Sequence, residues 1–162
     1  MNYWLMKSEE EEYSIDDLKR DKKVAWFGVR NYLARNFMRD HMKKGDLVFF
    51  YHSNGKPSGI VGVGKVASLP YPDSTQFDTK SPYYYPKATK EKPVWMLVDI
   101  SYVKKYKHML SINEMRDIST LSDIVILQKG SRLSITPVTD KYFTYIDNLL
   151  SGVQTNESKG LF

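Results

Sequence analysis

Residues 47–66 constrain the fold more tightly than any other part of the chain. Leu47 to His52, LVFFYH, is an unbroken apolar run of strand length. The loop SNGKPSG follows, and then a second strand, GIVGVGKVASL, so the two runs read as a β-hairpin. Gly62 and Gly64 fall on one face of that second strand by period-two alternation. Two positions without side chains on one strand face imply that a neighbouring backbone, side chain or ligand approaches closely there.

The flanking segments supply short elements of both kinds. Tyr3 to Lys7 is a β-prone run that ends where the acidic stretch Glu9 to Glu12 begins. Ser14 with Asp17 has the S-x-x-D form of a capping box, and Ile15 with Leu18 gives the helix it opens an inward side. Asn31 to Met42 reads as a second helix. Leu33, Phe37, Met38 and Met42 recur at helical spacing there, Arg35 and Arg39 share a polar side, and Lys43, Lys44 and Gly45 terminate it. Residues 70–93 are rich in Pro, Tyr, Asp, Ser and Thr, lack periodicity and are too long for a simple connection, so they read as a functional lid. Trp95 to Val103 is a further strand, Ser111 and Glu114 form a second capping box, and Ile124 to Leu127 and Leu133 to Ile135 complete the strand candidates. The final helix begins near Thr139 with Phe143, Ile146, Leu149 and Leu150 on one face. Strands mixed irregularly with short helices, without repeated βαβ units, indicate α+β architecture around a curved sheet or small β-barrel with short flanking helices. Neither a repeat nor a linker divides the chain. One domain over residues 1–150 is expected, followed by a flexible C-terminal tail at 151–162.

Composition narrows the function classes. No stretch approaches the ~20 apolar residues of a membrane span, and the N-terminus has no basic start or apolar signal core, so a soluble, cytoplasmic protein with no membrane partner is expected. Without cysteine, disulfides, thiolate zinc sites and cysteine nucleophiles are excluded. The net charge is +5, and between Lys19 and Lys44 nine Lys or Arg stand against Asp21 and Asp40 alone. Such a cluster serves phosphate binding and solubility alike. Twelve tyrosines add stacking surface beside it.

Several motifs are decoys. Gly59 to Lys65 spells G-x-x-x-x-G-K, but Val66 stands where the magnesium-binding Ser or Thr belongs, and the β-branched residues between favour a strand. Gly62, Gly64 and Ala67 imitate a dinucleotide fingerprint, yet Pro70 leaves no room for the helix it requires. His41, His52 and His108 lack spacing for a shared metal. His52 and Ser53 are adjacent on a strand and so point to opposite faces, against a base–nucleophile pair. No catalytic residues, no metal and no cofactor are expected, and the chain reads as a non-enzyme.

Taken together, YWLMKSE, YSIDDL, WFGVRNYLARNFMR, GDLVFFYHSN, GIVGVGKV, YPDSTQFD, SPYYYPK and KGSRLSITPV resemble the EVE domain, the family of thymocyte nuclear protein and its bacterial relatives. The resemblance runs from Asn2 to about Leu150, with the motifs in family order. It implies a PUA-like β-barrel, related in fold to the YTH readers of methylated RNA, that holds a methylated or hydroxymethylated base of DNA or RNA in an aromatic pocket. The alternatives are an enzyme acting on a nucleotide or RNA base, or a protein-interaction module.

A base held outside its stack needs a flat aromatic face, hydrogen bonds at its edge and cations for the flanking phosphates. On the family motifs, Trp26 is the stacking residue and Tyr84 a second wall, a place that Tyr83 or Tyr85 of the same triplet could also take. Ser8, Asn31 and Ser134 read base edges; Lys7, Arg30, Arg132 and Lys129 serve phosphate; His52 and Ser53 stand at the rim. Each has a structural alternative: Trp26 in the core, Asn31 as a helix cap, Arg30 in an internal ion pair. Two residues depart from the family pattern. Glu10 stands where a proline commonly follows KSE, and Phe27 replaces an acidic residue after the tryptophan.

Overall fold

A computed structural model of the chain describes residues 1–130 and 132–153. Its strands are β1 (Tyr3–Glu9), β2 (Lys23–Ala25), β3 (Leu47–Ser53), β4 (Gly59–Val66), β5 (Tyr71–Pro72), β6 (Met96–Leu97), β7 (Asp99–Ser111) and β8 (Ile135–Val138). Six of them form one sheet in the order β2-β7-β4-β3-β1-β8, while β5 and β6 pair separately. β1 and β3 run parallel, and every other pairing is antiparallel. Register shifts in the β3–β4 and β4–β7 ladders mark bulges, which bend strands and increase twist. The result is a curled, mixed sheet with edges at β2 and β8 in a PUA-like α+β domain.

Both faces of the sheet are covered, which explains the unbroken apolar run of β3. Val48 and Phe50 belong to one core with Trp4, Met6, Ile15, Leu18 and Met38. Phe49 and Tyr51 point the other way, into a core with Leu5, Ile60, Met115, Phe143 and Ile146. Helix α1 (Ile15–Asp21) lies on the first face, seated over the paired glycines. A β-carbon on Gly62 would stand 2.6 Å from the Lys104 carbonyl oxygen and 2.8 Å from Ile15 Cδ1. One on Gly64 would stand 2.7 Å from Ile100 Cγ2. The G-x-x-x-x-G-K run is therefore a central strand with a helix packed on it, and its glycines admit Ile15 and a neighbouring strand rather than phosphate.

The caps fall where the spacing places them. Ser14 and Asp17 form a reciprocal capping box on α1, and Ser111 and Glu114 form another on α3 (Ile112–Arg116). Thr139 caps α4 (Asp140–Leu150), which buries Phe143, Tyr145 and Ile146. The expected helix from Asn31 to Met42 is split into α2 (Tyr32–Asn36) and a π-turn at Phe37–His41, and Leu33 is exposed rather than packed. Of the late strand candidates, Val125–Leu127 is a 3₁₀ turn, and β8 begins at Ile135. β2 was hidden in the sequence because it is three residues long and starts on a lysine. The polar tail lies outside the described residues from 154 onward. No described helix is long and apolar enough to cross a membrane.

Residues 70–93 are not a free lid. Gln76 is fully buried, and its amide nitrogen donates to the Asp73 and Trp95 carbonyls at 2.8 Å each. Its amide oxygen accepts from the backbone N–H groups of Val94 and Trp95. One side chain thus staples both ends of the segment, and a buried amide with all these partners resists opening.

Candidate nucleic-acid interface

Because β1 and β3 are parallel, their carboxyl ends lie side by side, with Ser8 opposite His52 and Glu9 opposite Ser53. A cavity of about 600 Å³ opens there. Its lining comes from the end of β1 (Lys7, Ser8, Glu9), the acidic turn (Glu12, Tyr13) and the end of β3 (Ser53, Asn54). The remainder is β2 with the loop through Arg30, then Tyr83, Arg132 and Ser134.

The loop after β2 makes the aromatic wall. Trp26 continues the strand, its N–H donating to the Val98 carbonyl at 3.0 Å. Its half-buried ring meets Phe50 edge-on at 5.7 Å, so it belongs to the core on one side and the cavity on the other. Gly28 follows with φ +86°, and a β-carbon there would sit 2.9 Å from Tyr83 Cζ. Glycine therefore lets the tyrosine ring lie on the backbone.

Asp73, itself buried, fastens this loop. Its carboxylate accepts from the Gly28 N–H at 2.7 Å, from Arg30 Nη1 at 3.1 Å, and from the N–H and hydroxyl of Thr75. Burial pushes its pKa up, but these hydrogen bonds outweigh it and hold the carboxyl below its ordinary value. Arg30 also donates to the carbonyls of Val29 and Tyr83 and to Thr75 Oγ1.

The opposite wall is polar and less tightly bound. Lys7 is half-buried, and burial holds its ammonium below the usual lysine value. Its N–H donates to the Ser134 carbonyl at 2.8 Å, which ties the segment entering β8 to β1. Ser8 Oγ donates to the Tyr13 carbonyl at 2.6 Å and closes the acidic turn. Asn54 donates to Glu9 at 2.6 Å across the β3 end. Exposed Arg132 makes no side-chain hydrogen bond to the other described residues.

The structure thus brings Lys7, Ser8, Trp26, Arg30, Ser53, Arg132 and Ser134 to one cavity. The other expected residues do not line it. Asn31 is the N-cap of α2, its side chain accepting from the Ala34 N–H at 3.1 Å. His52 is buried, and its Nε2 accepts the Ile15 N–H at 3.1 Å, so it anchors the first turn of α1. Tyr84 is exposed outside the cavity and Tyr83 takes the wall position; Lys129 is exposed and likewise outside. Arg30 requires a correction of role: its guanidinium is committed to the internal ion pair and carbonyls, leaving it to shape the wall rather than reach phosphate. Of the tyrosine triplet, Tyr83 rather than the preferred Tyr84 lines the cavity, and Asp73, Gly28 and the carboxylates of Glu9 and Glu12 were missed as site residues. The glycine before Val-Arg was the available signal, since a positive φ beside an aromatic marks a tight approach.

Sheet, cavity and lining define a PUA-like domain with an aromatic pocket flanked by cations and carboxylates. The EVE domain family model matches residues 2–149, and this chain belongs to that family. Mouse thymocyte nuclear protein 1 is 40% identical, over 91% of this chain and 73% of the relative. A structure of a Pseudomonas syringae protein is 48% identical with a TM-score of 0.87, over 91% of this chain and 98% of that one. The structure of human THYN1 protein in complex with DNA containing 5-methylcytosine is 36% identical with a TM-score of 0.86, over 96% of this chain and 99% of that one.

Proposed function

We propose that this domain binds nucleic acid, DNA or RNA, by holding one modified base in the cavity beside Trp26. The observation that carries the reading is convergence. Separate segments place an aromatic ring, hydroxyls, carboxylates and the cations Lys7 and Arg132 around one opening. About 600 Å³ lies within the range of sites that enclose small planar ligands. Trp26 stacks on the base, Ser8, Ser53 and Ser134 meet its polar edge, and Lys7 and Arg132 meet the flanking phosphates. The relative solved with 5-methylcytosine DNA supports this class of ligand.

The test is binding of the purified protein to matched DNA and RNA oligonucleotides carrying 5-methylcytosine, 5-hydroxymethylcytosine, N6-methyladenine or no modification. A preference for one modified base is expected, with affinity falling as salt rises. Trp26→Ala should cost about 1–3 kcal/mol of binding, the usual worth of one base–aromatic stack. Undiminished binding by Trp26→Ala, or equal binding to every oligonucleotide, overturns the reading.

A further inference from the structure

Among the described residues, phenylalanine is a core residue nearly everywhere. Phe49, Phe50 and Phe143 are buried and Phe37 and Phe77 are half-buried, but Phe27 is 53% exposed. It is the only exposed phenylalanine among the described residues. Folding gains little from a ring left in water, so its position calls for another account.

That position is the mouth of the cavity. The Phe27 N–H donates to the Ala25 carbonyl at 2.9 Å, a tight turn that sends consecutive rings to different places. Trp26 goes inward against Phe50, and Phe27 goes outward while still lining the opening. Phe27 is not loose. Tyr83 supports it edge-on at 5.8 Å and 69°. The Tyr83 carbonyl in turn accepts from Arg30 Nε and Nη2 at 3.2 and 2.7 Å. The Asp73–Arg30 pair that fixes the Trp26 wall therefore also fixes the outer ring.

We propose that Phe27 is a second stacking platform, taken by the base adjacent in the same strand to the one held in the cavity. This rests on the base-reader reading above. A nucleotide entering the cavity leaves its neighbour at the mouth with one stacking partner lost, and an exposed ring fixed at that mouth replaces the partner. Stacking tolerates any base, because each presents a π-face. Phe27 thus adds affinity for a strand over a free nucleoside without reading the neighbour's identity.

The experiment is a cycle between Phe27 and the neighbouring base. The probe is a single-stranded DNA oligonucleotide with one 5-methylcytosine, compared with versions carrying an abasic site immediately 5′ or 3′ of it. Wild-type protein should lose about tenfold in affinity for one of the two abasic probes. Phe27→Ala should show little further loss on that same probe, and Phe27→Trp should restore the difference. Equal losses for wild type and Phe27→Ala on both probes overturn the inference while leaving the base-reader reading standing. A wild type that binds none of these probes overturns the inference, and one that also binds none of the modified DNA and RNA oligonucleotides above overturns the base-reader reading with it. Thermal unfolding of each variant separates a binding effect from misfolding.

Discussion

The two walls of the cavity contain similar residue types and do different work. On the Trp26 side, Arg30 is spent inside the protein: it pairs with buried Asp73 and donates to three further acceptors besides. On the β1 side, Arg132 is exposed and Lys7 half-buried, and the contacts that hold this wall are made by Ser8, by Asn54 and by backbone. An arginine near a pocket is therefore no indication of phosphate binding until its donors have been counted. One wall sets shape and the other leaves charge available.

Removing the fastening of the first wall should have the largest effect. Asp73→Ala leaves the Arg30 guanidinium and the Gly28 N–H without their carboxylate in a buried place, at a cost of about 3–5 kcal/mol. Urea unfolding measures it, and a loss below about 1 kcal/mol would break the distinction between the walls. Arg132→Ala should do the opposite. Stability stays within about 0.5 kcal/mol of wild type, the norm for an exposed residue without special contacts. The slope of log affinity against log salt falls by about one on modified oligonucleotides. An unchanged slope would remove Arg132 from the phosphate side of the comparison.

The smallest effect concerns His52, which holds the first turn of α1 directly after the acidic turn that lines the second wall. Burial lowers its pKa from the ordinary 6.5, with Glu10 and Asp16 opposing the shift and Lys105 adding to it. In the folded protein its neutral Nε2 accepts the Ile15 N–H. A histidine with a lowered folded value contributes its full stability above 6.5, and loses it as pH falls through 6.5 toward the folded value. Unfolding free energy should thus drop between neutral and mildly acidic pH, and urea unfolding across that range measures it. His52→Gln, which keeps an acceptor but does not titrate, should flatten that part of the profile. A His52→Gln profile identical to wild type would show that other groups carry it.

How much of the fold and the cavity is legible in the amino-acid sequence depends on which signals are local. The capping boxes at Ser14 and Ser111 and the cap at Thr139 need only neighbours three residues away, and all three are present. Gly62 and Gly64 announced a close approach because alternation along a strand is local as well, although which residue approached was not legible. The misreadings lie where distant partners decide. Nothing near Gln76 reveals that it bonds both ends of a long segment, so the segment looked unattached. Tyr83, Tyr84 and Tyr85 are indistinguishable in sequence, and only the space above Gly28 selects Tyr83. Arg30 is told from Arg132 by partners such as Asp73 and Tyr83, pairings across more than forty positions.

The placement of β1 has a consequence for how the domain comes together. It is the first strand in the chain yet sits inside the sheet, between β3 and β8, and its last pairing joins residues 3–6 to residues 135–138. Until β8 docks, β1 presents an unpaired edge carrying buried residues such as Trp4, Leu5 and Met6, an apolar template of the kind that invites pairing between molecules. The short strand ITPV is thus the guard of the sheet as well as the bearer of one cavity wall through Ser134. Any change that loosens its docking should disturb the Ser134 side of the cavity and raise the tendency to aggregate together.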